Sequence, residues 1–130
     1  MNEPVWIRQD VVLQMHEETL MLHGGPEGVR DLGLLESALS RPRNLFAYSE
    51  QTPSLAQLAA AYATGIVGDH PFVDGNKRTA FTVSITFLRL NGLQLTASKA
   101  HRVLTFWSLA AGEISQEQLV QWFERNTAPC

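Results

Sequence analysis

Apolar residues recur along this chain at steps of three and four, and glycine, proline and short polar clusters interrupt them. That rhythm predicts helices. Residues 5–22 carry Val11, Val12, Met15, Thr19 and Leu22 at helical spacing and stop at Gly24-Gly25-Pro26. Asp31 is placed to cap a second helix through Leu32, Leu34, Leu35, Ala38 and Leu39, which Arg41-Pro42 should end. Residues 54–69 open on a capping box, Ser54 with Gln57 three later, and set Leu55, Leu58, Ala59, Tyr62, Ile66 and His70 near one face. Residues 77–91 are apolar most of the way round, from Ala80 and Phe81 through Val83, Ile85, Phe87, Leu88 and Leu90. This predicts the central, buried helix, ~20 Å long, closed at Asn91-Gly92. A short extended link over residues 93–96 leads to a fifth helix at 98–111, packing through Val103, Leu104, Phe106, Trp107 and Ala110 and stopping at Gly112. A second capping box, Ser115 with Gln118, opens a sixth through Leu119, Val120, Trp122 and Phe123. Six helices with short connections predict an all-α bundle, one domain over residues 1–130.

Residues 41–53 break the rhythm. They hold two prolines, Pro42 and Pro53, but also Leu45, Phe46 and Tyr48, apolar groups that a solvated loop avoids. Two readings follow. The segment is a loop pinned to the core by Phe46, or a flap or short hairpin beside residues 70–80 that offers backbone groups to a partner.

Composition narrows the partners. A chain of 130 residues, 45% hydrophobic, buries roughly two-thirds of its unfolded surface. Its formal net charge of -3 supplies no basic field for direct nucleic-acid binding. Only two lysines occur, Lys77 and Lys99, and one falls in residues 70–80. A local basic spot on an acidic protein suits a small anion. The single cysteine, Cys130, excludes a disulfide within the chain and a cysteine-rich metal site. No run approaches the ~18 apolar residues of a membrane span, and no signal-like start appears, so a cytoplasmic location is expected.

The chemistry concentrates in HPFVDGNKRTA, residues 70–80. His70 ends one predicted helix, where an imidazole can take a hydroxyl proton at neutral pH. His16, His23 and His101 read as structural. Asp74 either caps the turn or holds Mg²⁺, which is usually bound by one carboxylate together with nucleotide phosphates and water. Gly75 lets backbone approach a ligand, and Asn76 offers two side-chain donors. Lys77 and Arg78 open the next helix, where cations oppose the macrodipole by ~0.3–1 kcal/mol each. A bound phosphate reverses that sign, so the placement points to an anion seat. Arg30, Lys99, His101 and Arg102 read as a solvated charged face. No Walker loop, HExxH, GxSxG or kinase-type lysine strand is present.

His70, Phe72, Asp74, Gly75, Asn76 and Arg78 coincide in order with the Fic/Doc signature HxFx(D/E)GN(G/K)R, and the chain resembles that family over essentially its whole length. It is most similar to the compact death-on-curing (Doc) toxin branch. The resemblance implies ATP and Mg²⁺ as cofactors, His70 as the base, Asp74 as the metal ligand, and Gly75, Asn76, Lys77 and Arg78 as the phosphate nest. AMP-transferring members generally carry glycine where this chain has Lys77, and a second arginine where it has Phe81. The lysine variant implies γ-phosphoryl transfer to a threonine of elongation factor Tu and arrested translation. The string nearest the self-inhibitory motif, residues 23–28, lacks its Ser/Thr and lies in a glycine-proline loop. Inhibition in trans by a Phd-type antitoxin is therefore implied. The alternatives are an AMP or other nucleotidyl transferase of the same fold, and a catalytically inactive antitoxin-binding regulator.

Overall fold

The computed structural model describes residues 2–130. Its helices are α1 (Gln9–His23), α2 (Leu32–Tyr48), α3 (Leu55–Asp69), α4 (Asn76–Leu90), α5 (Lys99–Ala110) and α6 (Gln116–Arg125), with two short strands, β1 (Leu93–Leu95) and β2 (Thr127–Pro129). The all-α architecture with six helices stands as expected.

Side chains fix most helix starts where the sequence placed them. Asp31 accepts from the Leu34 N–H at 3.0 Å and Ser98 from the His101 N–H at 3.2 Å. Both capping boxes form: Ser54 and Gln57 exchange bonds of 2.7 and 3.1 Å, Ser115 and Gln118 of 2.8 and 3.1 Å. Each such cap satisfies N–H groups that a helix start leaves without partners.

α5 buries Phe106 and Leu109, whereas Val103, Leu104, Trp107 and Ala110 of the face expected to pack stay exposed. Three further expectations need correction. The first helix starts at Gln9, not at residue 5. The residues before it are held elsewhere, because Asn91 exchanges two bonds with the Val5 backbone (2.8 and 3.0 Å) and the Ile7 N–H donates to the Tyr62 hydroxyl at 3.1 Å. The second helix does not end at Pro42 but runs on to Tyr48, so residues 41–48 form neither flap nor hairpin. A proline inside a helix costs about 3 kcal/mol. Here Pro42 is buried, and Leu45 and Phe46 pack on the core, with Phe46 set edge-on to Trp6. That packing outweighs the local penalty.

The third correction concerns the centre. α3, not α4, is the most enclosed helix: nine of its residues are buried, and it packs against α2, α4, α5 and α6. Its alanines and Gly65 let neighbours close in, and a Cβ at Gly65 would sit only 3.2 Å from the Ala38 carbonyl oxygen. α4 keeps Phe81, Thr82, Ile85 and Thr86 half-exposed. Bulky side chains made α4 look central, whereas small ones mark the true axis.

The expected extended link is β1, paired antiparallel with β2 in the register Leu93↔Pro129, Gln94↔Ala128 and Leu95↔Thr127. Among the described residues no helix is long and apolar enough to cross a membrane.

Candidate active site

α3 ends at Asp69 because Pro71 cannot continue it, and His70 takes a left-handed conformation (φ 51, ψ 55). Among the described residues it is the single non-glycine residue with positive φ. Such a conformation costs about 1–2 kcal/mol for an L-residue, so its surroundings must impose it. Arg30 does this. Its Nε donates to the His70 carbonyl at 2.8 Å and its Nη2 to the Asp69 carbonyl at 2.9 Å. The backbone N–H groups of Arg30 and Asp31 both reach the Pro71 carbonyl, at 2.7 and 3.1 Å. A cation at the negative end of α3 also complements its dipole. Arg30 is thus a clamp on the backbone carrying His70, and nothing in sequence spacing signalled it. The imidazole of His70 stays exposed on the cavity wall.

The turn after His70 is tied down from two sides. Phe72 is fully buried and bridges Val29, while the Val73 N–H donates to the Gly28 carbonyl at 3.1 Å. The segment that lies beside the motif is therefore 24–31, between α1 and α2, and not the expected 41–53. His16 is buried, stacks on Phe72 (centroids 3.8 Å apart) and bonds the Asp74 carbonyl through Nε2 at 2.7 Å. Bonding a carbonyl requires the proton on Nε2. Gly25, at φ 116, lies so close that a Cβ there would come within 2.5 Å of Asp74 Oδ2. Asp74 thus has its backbone held by His16 and its carboxylate seated against a glycine, and it remains exposed to the cavity.

Gly75 turns the chain into α4 at φ 81, and among the described residues no side chain caps that helix start. Asn76 is buried and its amide is used internally on Phe72, so it can offer a ligand its backbone N–H but not the two side-chain donors expected of it. The first-turn N–H groups of α4 and the cations Lys77 and Arg78 face one cavity of about 1070 Å³. α1 and α5 form its other walls, through Leu22, Val103 and Trp107 among others. Burial, and then the neighbouring Arg78, lower the Lys77 pKa.

All six motif residues expected at the site, His70, Asp74, Gly75, Asn76, Lys77 and Arg78, line this cavity. Lys99 and Arg102, read as solvated, line it too, although Arg102 Nε donates to the Ala97 carbonyl at 2.9 Å. Neither Arg30 nor His101 is among its lining residues. Phe81 lines it as well, set edge-on to Phe106 at 5.0 Å. Asp74 is the one carboxylate in a wall with four Lys and Arg side chains. This donor set suits Mg²⁺ carried in with a polyphosphate, because the protein supplies one hard oxygen ligand and the anion supplies others. No group of three or more His, Cys, Asp or Glu able to hold a metal by themselves occurs among the described residues.

Comparison with known proteins places relatives beside this geometry. The sequence matches the Fic/DOC family over residues 6–88. It is 33% identical over 119 residues to the protein kinase doc of Escherichia phage P1, covering 92% of this chain and 93% of the phage protein. It is 45% identical over 74 residues to the toxin Doc of Mycolicibacterium smegmatis, where the match covers 57% of each chain.

Proposed function

The chain belongs to the Fic/Doc family, and from that premise we propose that it is the toxin of a toxin–antitoxin pair. In this reading it is an enzyme that moves the γ-phosphoryl group of Mg-ATP onto a threonine hydroxyl of a translation factor, with elongation factor Tu as the expected acceptor. One observation carries it. His70, Asp74, Lys77 and Arg78 line a single cavity at an uncapped helix start. A base, a metal-binding carboxylate and an anion seat then share one space.

His70 accepts the hydroxyl proton as that oxygen bonds to phosphorus, a role worth roughly 10²–10⁴-fold in rate. The first-turn N–H groups of α4, with Lys77 and Arg78, hold the phosphate oxygens and take up charge as the bond to the leaving ADP breaks. Asp74 would hold Mg²⁺, which neutralises phosphate charge when bound. Arg30 and the side chain of Asn76 set the positions of these groups without touching the reacting atoms. Most of the acceleration expected from such a site comes from positioning and charge.

Lys77 at the glycine position favours phosphoryl over adenylyl transfer, and the name of the phage relative is in keeping with that. The toxin role draws on the name of the mycobacterial relative and carries an antitoxin with it. Phe81 supplies no second arginine, and Glu27 lies in the exposed loop 24–31. Both features support inhibition in trans, by an antitoxin we take to be of the Phd type, within the cytoplasm.

Mass spectrometry of cellular proteins after brief expression tests the reading. The expected result is one translation factor gaining a phosphate on threonine, absent with His70→Ala. An AMP adduct, or the same phosphate with His70→Ala, would contradict it.

A further inference from the structure

Lys77 does not extend freely over the cavity. Its Nζ lies 3.0 Å from the centroid of the Trp107 ring. Trp107 is 60% exposed, an unusual place for so large an apolar group, and the reaction outlined above gives it no task. Packing does not require it there either, because α5 buries Phe106 and Leu109 instead. An ammonium near the positive end of α4, beside Arg78, lacks a favourable partner until an anion arrives. The negative face of the indole provides one. It covers a single side of the ammonium, so of three N–H donors those directed away from the ring stay available to the cavity. A lysine on a flexible four-carbon stem would otherwise have to be ordered by the ligand itself.

We propose that Trp107 is a positioning residue for Lys77: the indole face holds the ammonium at the anion seat between α4 and α5, so that a polyphosphate meets a lysine already in place. The proposal deepens, and rests on, the phosphate-binding reading of this cavity. It concerns binding, however, and is tested apart from turnover.

Lys77 and Lys99 are the only lysines in the chain, so selective ¹³C-lysine labelling yields two sets of side-chain signals. In the wild-type protein one lysine's Hε protons should be displaced upfield by the indole ring current, and Lys77→Arg should remove that set. Trp107→Leu should abolish the displacement while leaving the Lys99 signals and the helical circular dichroism as they were. Trp107→Phe should keep part of it. Binding of Mg-tripolyphosphate, measured by calorimetry, should weaken about threefold to tenfold in Trp107→Leu and recover in Trp107→Phe. Lysine signals without upfield displacement in the wild type would overturn the proposal. So would wild-type protein that does not bind tripolyphosphate, or Trp107→Leu binding it as tightly as wild type. If Trp107→Leu loses polyphosphate affinity and Trp107→Phe recovers it but no phosphoryl transfer is found, the pair stands and the proposed reaction fails. If transfer is found and Trp107→Leu binds unchanged, the reaction stands and the pair fails.

Discussion

Asn76 closes a ring of two hydrogen bonds on the backbone of Phe72: its Oδ1 accepts from the Phe72 N–H at 3.0 Å, and its Nδ2 donates to the Phe72 carbonyl at 2.9 Å. Both residues are buried, so water cannot replace either bond. The ring fixes the spacing between the end of α3, which carries His70, and the start of α4, which carries Lys77 and Arg78. Replacing Asn76 with Ala leaves a buried N–H and a buried carbonyl without partners, at about 1–3 kcal/mol each. Asn76→Ala should lose about 2–6 kcal/mol of stability in denaturant unfolding, and Asn76→Asp should also be destabilised, because its carboxylate keeps the acceptor but sets a second, charged acceptor against the buried Phe72 carbonyl. A loss below about 1 kcal/mol in Asn76→Ala would contradict this account.

Arg30 holds two carbonyls at the end of α3, and lysine cannot span both with one fork. Arg30→Ala and Arg30→Lys should both lower the rate at saturating ATP, by on the order of tenfold, with little change in ATP KM. Their circular dichroism should match wild type. A rise in KM at unchanged rate would mean that Arg30 serves the nucleotide and not His70.

His16 gives Asp74 its backbone anchor through Nε2 and gives Phe72 a stacking partner. His16→Phe keeps the ring and removes the donor. The Mg²⁺ concentration needed for half-maximal activity should then rise while the protein stays folded, because the carbonyl of the residue proposed to hold the metal is released. An unchanged Mg²⁺ dependence would separate His16 from Asp74.

Tyr62 predicts the alkaline limit of stability. Burial raises its pKa, with the Ile7 N–H and the Arg43 charge pulling the other way. Below the ordinary tyrosine value of about 10 the phenol is neutral in folded and unfolded chains alike, and its contribution is fully present. Above that value the unfolded chain releases its proton first, so stability falls as pH rises through the folded pKa. Denaturant unfolding from about pH 8 to about pH 11 should show this decline in wild type and a shallower one in Tyr62→Phe. The same slope in both proteins would place the alkaline weakness elsewhere.

Residues whose signals are local were legible in the sequence. Ser54 with Gln57, Ser115 with Gln118 and Asp31 each act within one turn, and the helices they open start where expected. The motif residues were legible too, since a helix break followed by a helix start brings His70, Asp74, Lys77 and Arg78 to one cavity without distant contacts. What was hidden depends on contacts far apart in the chain. Pro42 stays helical because of what Leu45 and Phe46 pack against, and Arg30 and His16 act on residues 40 and 58 positions away. Asn76 was misread for another reason: its four-residue reach back to Phe72 is local, but a buried amide and an exposed one look alike in sequence.

The central claim is that this cavity transfers the terminal phosphoryl group of ATP with His70 as the base. Purified protein incubated with a cell extract and ATP radiolabelled at either the γ- or the α-phosphate tests it most directly. The account predicts γ-label on one protein band, no α-label, and loss of the band with His70→Ala. Retention of α-label on protein, or γ-label that persists with His70→Ala, would contradict it.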